Sequence, residues 1–227
     1  LLSVYEPEVV RWIFTNHRPN HDFSIALDED VIKVYEEFDK GELKAYSEPT
    51  SEKEEKKYLL NRRTYELSLV DEEIIDKKPL RPSFRLLANR LQICNGDFKR
   101  VFEKFYTDIK YSIYESRAKR AWYWVENHAP EELCYRIRNV KDRFEQNDFE
   151  RDIIIRLRSL LDSIDLEVIT AQELNELIWE KIIKSSGGEA KDVFKAIYRC
   201  LIKRDKGPRL PGFLKEIGKG KLLELLS

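Results

Sequence analysis

Thr170-Ala171-Gln172-Glu173-Leu174-Asn175-Glu176-Leu177-Ile178-Trp179-Glu180-Lys181-Ile182, closed by Gly187-Gly188, reads as a helix at its start, along its length and at its stop. Thr170 and Glu173 form a capping-box pattern, in which each side chain can satisfy the other's free backbone amide. Leu174, Leu177, Ile178 and Ile182 recur at spacings of three and four, so they share one face. The glycine pair ends it. The same grammar repeats in both directions. Downstream, Val193, Phe194, Ile197 and Leu201 mark a helix closed by Gly207-Pro208, and two short segments around Phe213 to Ile217 and Leu222 to Leu226 finish the chain. Upstream, Tyr114, Ala118, Ala121, Trp122 and Val125 lie on a helix that stops at Ala129-Pro130, because a residue before proline is pushed out of the helical region. Phe84, Leu87, Leu91 and Cys94 form another face. The turn Asn95-Gly96-Asp97 then caps a helix through Val101, Phe102, Phe105 and Ile109.

Near the start, Pro7 suits a first helical position ahead of Val10, Ile13 and Phe14, and Pro19 ends that helix. Asp28 caps a second, which buries Val31, Val34, Tyr35 and Phe38 and stops at Gly41. Between them Phe23-Ser24-Ile25-Ala26-Leu27 alternates like a strand, too short to set the class. Ser47 to Lys57 is polar and suits either an exposed linker or the start of a charged helix, so a soft boundary is placed at 45–80. The expectation is an all-α helical bundle with room for one short strand and no internal repeat.

Composition narrows the functional classes. With 42% hydrophobic and 37% charged residues among 227, the chain can bury a core beneath an ionised surface, and disorder is excluded for most of it. Glu and Lys abound and Gln is scarce, a balance that suggests a thermophilic source. The net charge of -1 argues against a generic polyanion binder, but the charges segregate. Residues 81–120 hold ten basic against four acidic side chains and residues 199–227 eight against three, whereas the first 57 hold eight against fourteen. Basic faces of that kind can release counterions from phosphates; unevenly charged solvated helices would look the same. Cys94, Cys134 and Cys200 are scattered, which fits a reducing cytosol. No apolar run approaches the roughly 20 residues of a bilayer span, so membrane binding and export are not expected. There is no Met, initiator included, and Leu1 is expected not to be a native N-terminus.

No catalytic or metal residue is assigned. His17 and His21 stand four apart, but Pro19 breaks the helix that would aim both at one ion. Asp28-Glu29-Asp30 is placed like a helix N-terminus. Lys184-Ser185-Ser186-Gly187-Gly188 lacks P-loop spacing and falls at a helix end, where carbonyls are exposed; it reads as a C-cap. Trp122, Tyr123 and Trp124 are consecutive and splay over a wide arc. With Trp122 in the core, Trp124 or Tyr123 faces outward beside Arg117, Lys119 and Arg120. There a ring could stack a base for roughly 1 to 3 kcal/mol, or cover a neighbouring helix.

Several stretches, in order, resemble class I lysyl-tRNA synthetases. Tyr5-Glu6-Pro7-Glu8-Val9-Val10-Arg11-Trp12-Ile13-Phe14, continuing through Arg18-Pro19-Asn20, is similar to the segment after that family's lysine loop. Tyr35-Glu36-Glu37-Phe38-Asp39 resembles its next helix, and Arg62-Arg63-Thr64-Tyr65-Glu66-Leu67-Ser68 its linker motif. Ala121-Trp122 with Val125, then Ala129-Pro130-Glu131-Glu132, resembles its tryptophan helix; Phe194, Tyr198-Arg199 and Gly207-Pro208-Arg209-Leu210 with Phe213-Leu214 resemble its C-terminal signature. The likeness runs from residue 5 to about 214. It is least over 140–170, and Pro211 and Gly212 depart from the pattern.

The resemblance, of archaeal type, implies an enzyme that ligates lysine to its tRNA through lysyl-adenylate. Its nucleotide-binding domain carries a His-rich loop and a lysine loop for ATP; neither occurs here, so no cofactor is expected in this chain, which alone is expected to be inactive. It implies a stem-contact region at 1–50, a linker at 51–80 and an α-helix-cage anticodon-binding domain at 81–227. The implied partners are lysine tRNA and the enzyme's own catalytic domain, in the cytoplasm, with no DNA and no membrane. Arg209 and Lys206, with Trp124 and Arg120, are the expected anticodon contacts, Arg209 having pairing with Glu216 as its structural alternative. Arg11, Arg18 and Asn20 are expected to meet the tRNA stem or brace the lysine loop. The leading rival is a helical protein-interaction scaffold without an RNA partner; a complete small enzyme is the other.

Overall fold

The structure, a computed structural model, describes residues 1–17, 22–70, 76–142 and 145–227. Arg18 and Asn20 lie outside the described residues, as do Pro19 and His21 and the expectations placed on them. All regular structure among the described residues is helical: α1 (Pro7–Asn16), α2 (Asp30–Tyr46), α3 (Glu52–Ser68), α4 (Phe84–Ile93), α5 (Phe98–Phe105), α6 (Tyr111–Asn127), α7 (Asp148–Ser163), α8 (Ala171–Ile178), α9 (Ala190–Ile202), α10 (Leu210–Ile217) and α11 (Lys219–Leu225). A 3-10 turn occupies Glu131–Leu133 and a π-helical turn Trp179–Ile183. The all-α expectation holds. The contacts divide the chain into Leu1–Pro130 and Glu131–Ser227, whereas the sequence suggested a soft boundary at 45–80; α3 fills most of the stretch read as linker.

In the first unit α3 packs on α1 and α2, and α4 on α6. Gly41, read as a helix stop, lies inside α2. The Trp12 indole sits 3.0 Å from where a Cβ would be, so the glycine serves close packing rather than termination. Phe23 to Leu27 pairs with no strand among the described residues. Side-chain donors take two of its carbonyls and the next one along: the Tyr5 hydroxyl donates to Ala26 at 2.8 Å, and Trp124 Nε1 to Leu27 at 2.9 Å and to Asp28 at 3.1 Å. At the centre lies Arg117, fully buried. Its Nε donates to Glu6 at 2.8 Å, its Nη1 to Asp39 at 2.9 Å and to the Pro82 carbonyl at 2.9 Å, and the guanidinium lies over the Tyr35 ring.

The second unit packs α7 against α9 and α11, and α10 against α8. The sequence reading passed over α7, although Asn147 and Glu150 form a full capping box ahead of Ile153, Leu157 and Leu161. At Thr170 and Glu173 the expected box is present. Past Ile178 the helix widens: the Lys184 amide donates to the Trp179 carbonyl, five residues back, and Ile182 and Ile183 are both buried. One extra residue in the turn lets adjacent isoleucines face the core. The buried Arg138 joins the preceding loop to α9 and α11, donating to the Cys200 carbonyl at 2.7 Å and to that of Leu225.

Candidate functional site

A concavity of about 550 Å³ opens in the second unit, walled by one face of α9, the loop to α10 and the Asn175 turn of α8. From α9 come Lys191, Phe194 and Tyr198, spaced three and four apart and therefore on one side of the helix. The loop contributes Lys206, Gly207 and Arg209, and the start of α10 adds Leu210 and Pro211. The backbone of this loop is built for its path. Lys203 ends α9 in the left-handed region, at φ 57°, and Pro211 suits the first turn of α10. Gly207 lies against the Tyr198 ring so closely that a Cβ would fall 2.7 Å from its Cδ1. The Tyr198 hydroxyl donates to the Pro208 carbonyl, which locks ring and loop together. Burial pushes the Tyr198 pKa up to about 12, so it stays a neutral donor.

Charge in the hollow is mostly of one sign. Asp205 is its one lining acid, and Lys195 pairs with it at 2.8 Å. That partner's hydrogen bond holds the Asp205 pKa below the ordinary carboxylate value. Lys191, Lys206 and Arg209 are exposed and form no ion pair among the described residues; Arg209 does not pair with Glu216. Glu189 and Asp192 flank Lys191 in sequence but do not line the hollow. Three free cations around the half-buried Phe194 ring, with the buried Tyr198 anchoring the loop, suit a ligand that is anionic and planar in parts.

Two residues expected here are placed elsewhere. Trp124 is 1% exposed in the first unit, with its indole N–H donated to backbone carbonyls, which corrects the expectation that it stands free to stack. Arg120 is turned inward, donating to the Tyr5 carbonyl at 3.0 Å and to Ser116. Of the aromatic triplet, Tyr123 faces solvent and Trp122 is half-buried against Gly96. Arg11 is exposed on α1. The sequence reading missed Lys191 and Asn175; the spacing of Lys191, Phe194 and Tyr198 was the available signal. A smaller concavity of about 240 Å³ in the first unit carries Asp30 and Glu37 beside Lys33, a poor match for phosphate. Ser185 and Ser186 donate to the carbonyls of Lys181 and Ile183, so the Lys184 to Gly188 loop is a helix end, as read. Among the described residues no three His, Cys, Asp or Glu side chains gather as a metal site, and no helix is long and apolar enough to cross a membrane.

Residues 1–71 match the family model described as tRNA synthetases class I (K). The lysine--tRNA ligase of Treponema pallidum is 34% identical over 236 residues, covering 100% of this chain and 43% of the relative. Over its whole length the chain is similar to part of a class I lysyl-tRNA synthetase. Archaeal members align over nearly the same span: the lysine--tRNA ligase of Pyrococcus furiosus is 29% identical, covering 96% of this chain and 42% of the relative, and that of Thermococcus kodakarensis is 28% identical, covering 100% and 44%. The chain thus spans under half the length of these curated synthetases. Within it the stretch that matches the family model lies in the first unit, and the cationic hollow in the second.

Proposed function

We propose that this chain is the tRNA-binding part of a class I lysyl-tRNA synthetase, a cytoplasmic enzyme that ligates lysine to its tRNA with ATP, and that its second unit takes the anticodon loop. The observation that carries this is the hollow: Lys191, Lys206 and Arg209, free of carboxylate partners among the described residues, converge beside Phe194 and Tyr198. Loop nucleotides are unpaired, so their bases can be splayed against rings while basic side chains hold the phosphates. The first unit, with Arg11 exposed on α1, serves as the stem-contact region, and the lysine and ATP chemistry belongs to the enzyme's catalytic domain. Lysine tRNA and an anticodon-swapped version are titrated onto the chain at several salt concentrations. Lysine tRNA should bind more tightly, with affinity falling steeply as salt rises. Equal binding of both tRNAs would remove the anticodon reading, and no binding at any salt would favour a protein scaffold.

A further inference from the structure

Trp179 is 44% exposed, although indole is a side chain that folded proteins mostly cover. It lies one turn beyond Asn175, and its amide donates to the Asn175 carbonyl. Side chains on a helix lean toward the N-terminus, which directs the indole toward the turn of Asn175, a wall of the cationic hollow that Trp179 itself does not line. The π-helical turn that starts at Trp179 turns Ile182 and Ile183 to the core and leaves Trp179 outside. Such turns are frequent at functional sites.

We infer that Trp179 is a second stacking platform, continuous with the hollow, for an unpaired base adjoining the nucleotide held by Phe194, Tyr198 and the three cations. This rests on the reading of the hollow as an RNA site. The platform is a ring and not a charge, so its contribution is independent of salt, whereas each lysine or arginine contributes through a phosphate.

The experiment uses the full chain with lysine tRNA and with a short single-stranded RNA of its anticodon-loop sequence, and reads indole fluorescence and acrylamide quenching. Trp12 and Trp124 are buried and Trp122 is half-buried, so the exposed indole is read as the difference between the wild type and Trp179→Phe. RNA should quench it and shield it from acrylamide in the wild type but not in Trp179→Phe. Trp179→Ala should weaken binding about 5- to 100-fold with an unchanged salt slope, while Trp179→Phe keeps most of the affinity. The double variant Lys206→Ala/Arg209→Ala separates the two claims. If it weakens binding while RNA leaves the Trp179 signal of the wild type unmoved, the platform is overturned and the hollow stands. If the wild type binds no RNA at any salt, both fail.

Discussion

Arg117 is a cation enclosed where cations rarely go. Its guanidinium meets Glu6 and Asp39, residues far from it in sequence, and Glu6 is itself 2% exposed. Removing one partner from such a group leaves an uncompensated buried charge, which costs about 3–5 kcal/mol. Arg117→Ala should therefore lower stability by about that much in urea unfolding. The double variant Arg117→Met/Glu6→Gln should lose less, because the buried Glu6 charge is removed with its partner and only the partly exposed Asp39 is left without its cation; equal losses would show that packing, and not the Arg117–Glu6 pair, matters there. In the hollow, Gly207→Ala pushes a methyl into the Tyr198 ring, with Ile202 behind it. Tyr198 cannot keep both its position and its bond to the Pro208 carbonyl, so tRNA affinity should fall while overall helicity, followed by circular dichroism, is retained. Unchanged affinity would mean that the ring is not a wall of the binding site.

At the scale of one helix, α8 shows how a cap responds to pH. The Thr170 amide donates to Glu173 at 2.8 Å, as does the Thr170 hydroxyl, and these bonds hold the Glu173 pKa below its ordinary value. A depressed carboxylate stabilises the fold above its unfolded pKa, and that contribution fades as pH falls through the folded pKa. Amide exchange in the first turn of α8, taken relative to its intrinsic rate at each pH, should thus accelerate on acidification below the usual glutamate range. Glu173→Gln, which accepts the same bonds but does not titrate, should show no such acceleration; a matching pH profile would assign the effect to another group. The box at Asn147 can be probed without pH: Asn147→Ala should cost about 1 kcal/mol in thermal or urea unfolding, by leaving the Glu150 amide without its acceptor.

For the whole molecule, the division at Pro130 and Glu131 makes two statements testable together. Glu131–Ser227 holds its own core, with α7 packed on α9 and α11 and Arg138 tied to α9 and α11. Produced alone, it should melt cooperatively as a helical protein and retain tRNA binding that weakens with salt. A broad, non-cooperative transition would show that it depends on the first unit. Within the intact chain, Lys206→Ala and Arg209→Ala should each reduce the slope of log affinity against log salt by about 1, since each is assigned one phosphate. An unchanged slope would place that side chain off the RNA.

Local chemistry was legible without coordinates. Thr170 with Glu173, the Asn95-Gly96-Asp97 turn and the apolar spacing of α8 and α9 need only near neighbours, so residue order settles them. Lys206 and Arg209 were named through the resemblance, since their loop is bounded by Gly207 and Pro208. Tertiary packing decided what depends on distant partners. Tyr114, Arg117, Ala118, Ala121 and Trp124 form the buried stripe of α6, but an arginine at its centre reads as solvent-facing until Glu6 and Asp39 arrive beside it. That is why Trp122 looked like core and Trp124 like surface. Gly41 looked like a stop because only the fold brings the Trp12 ring against it, and Lys191 joins Arg209 because α9 and the loop after it bend around one hollow. Periodicity reports which residues share a face; only the assembled chain supplies what that face meets.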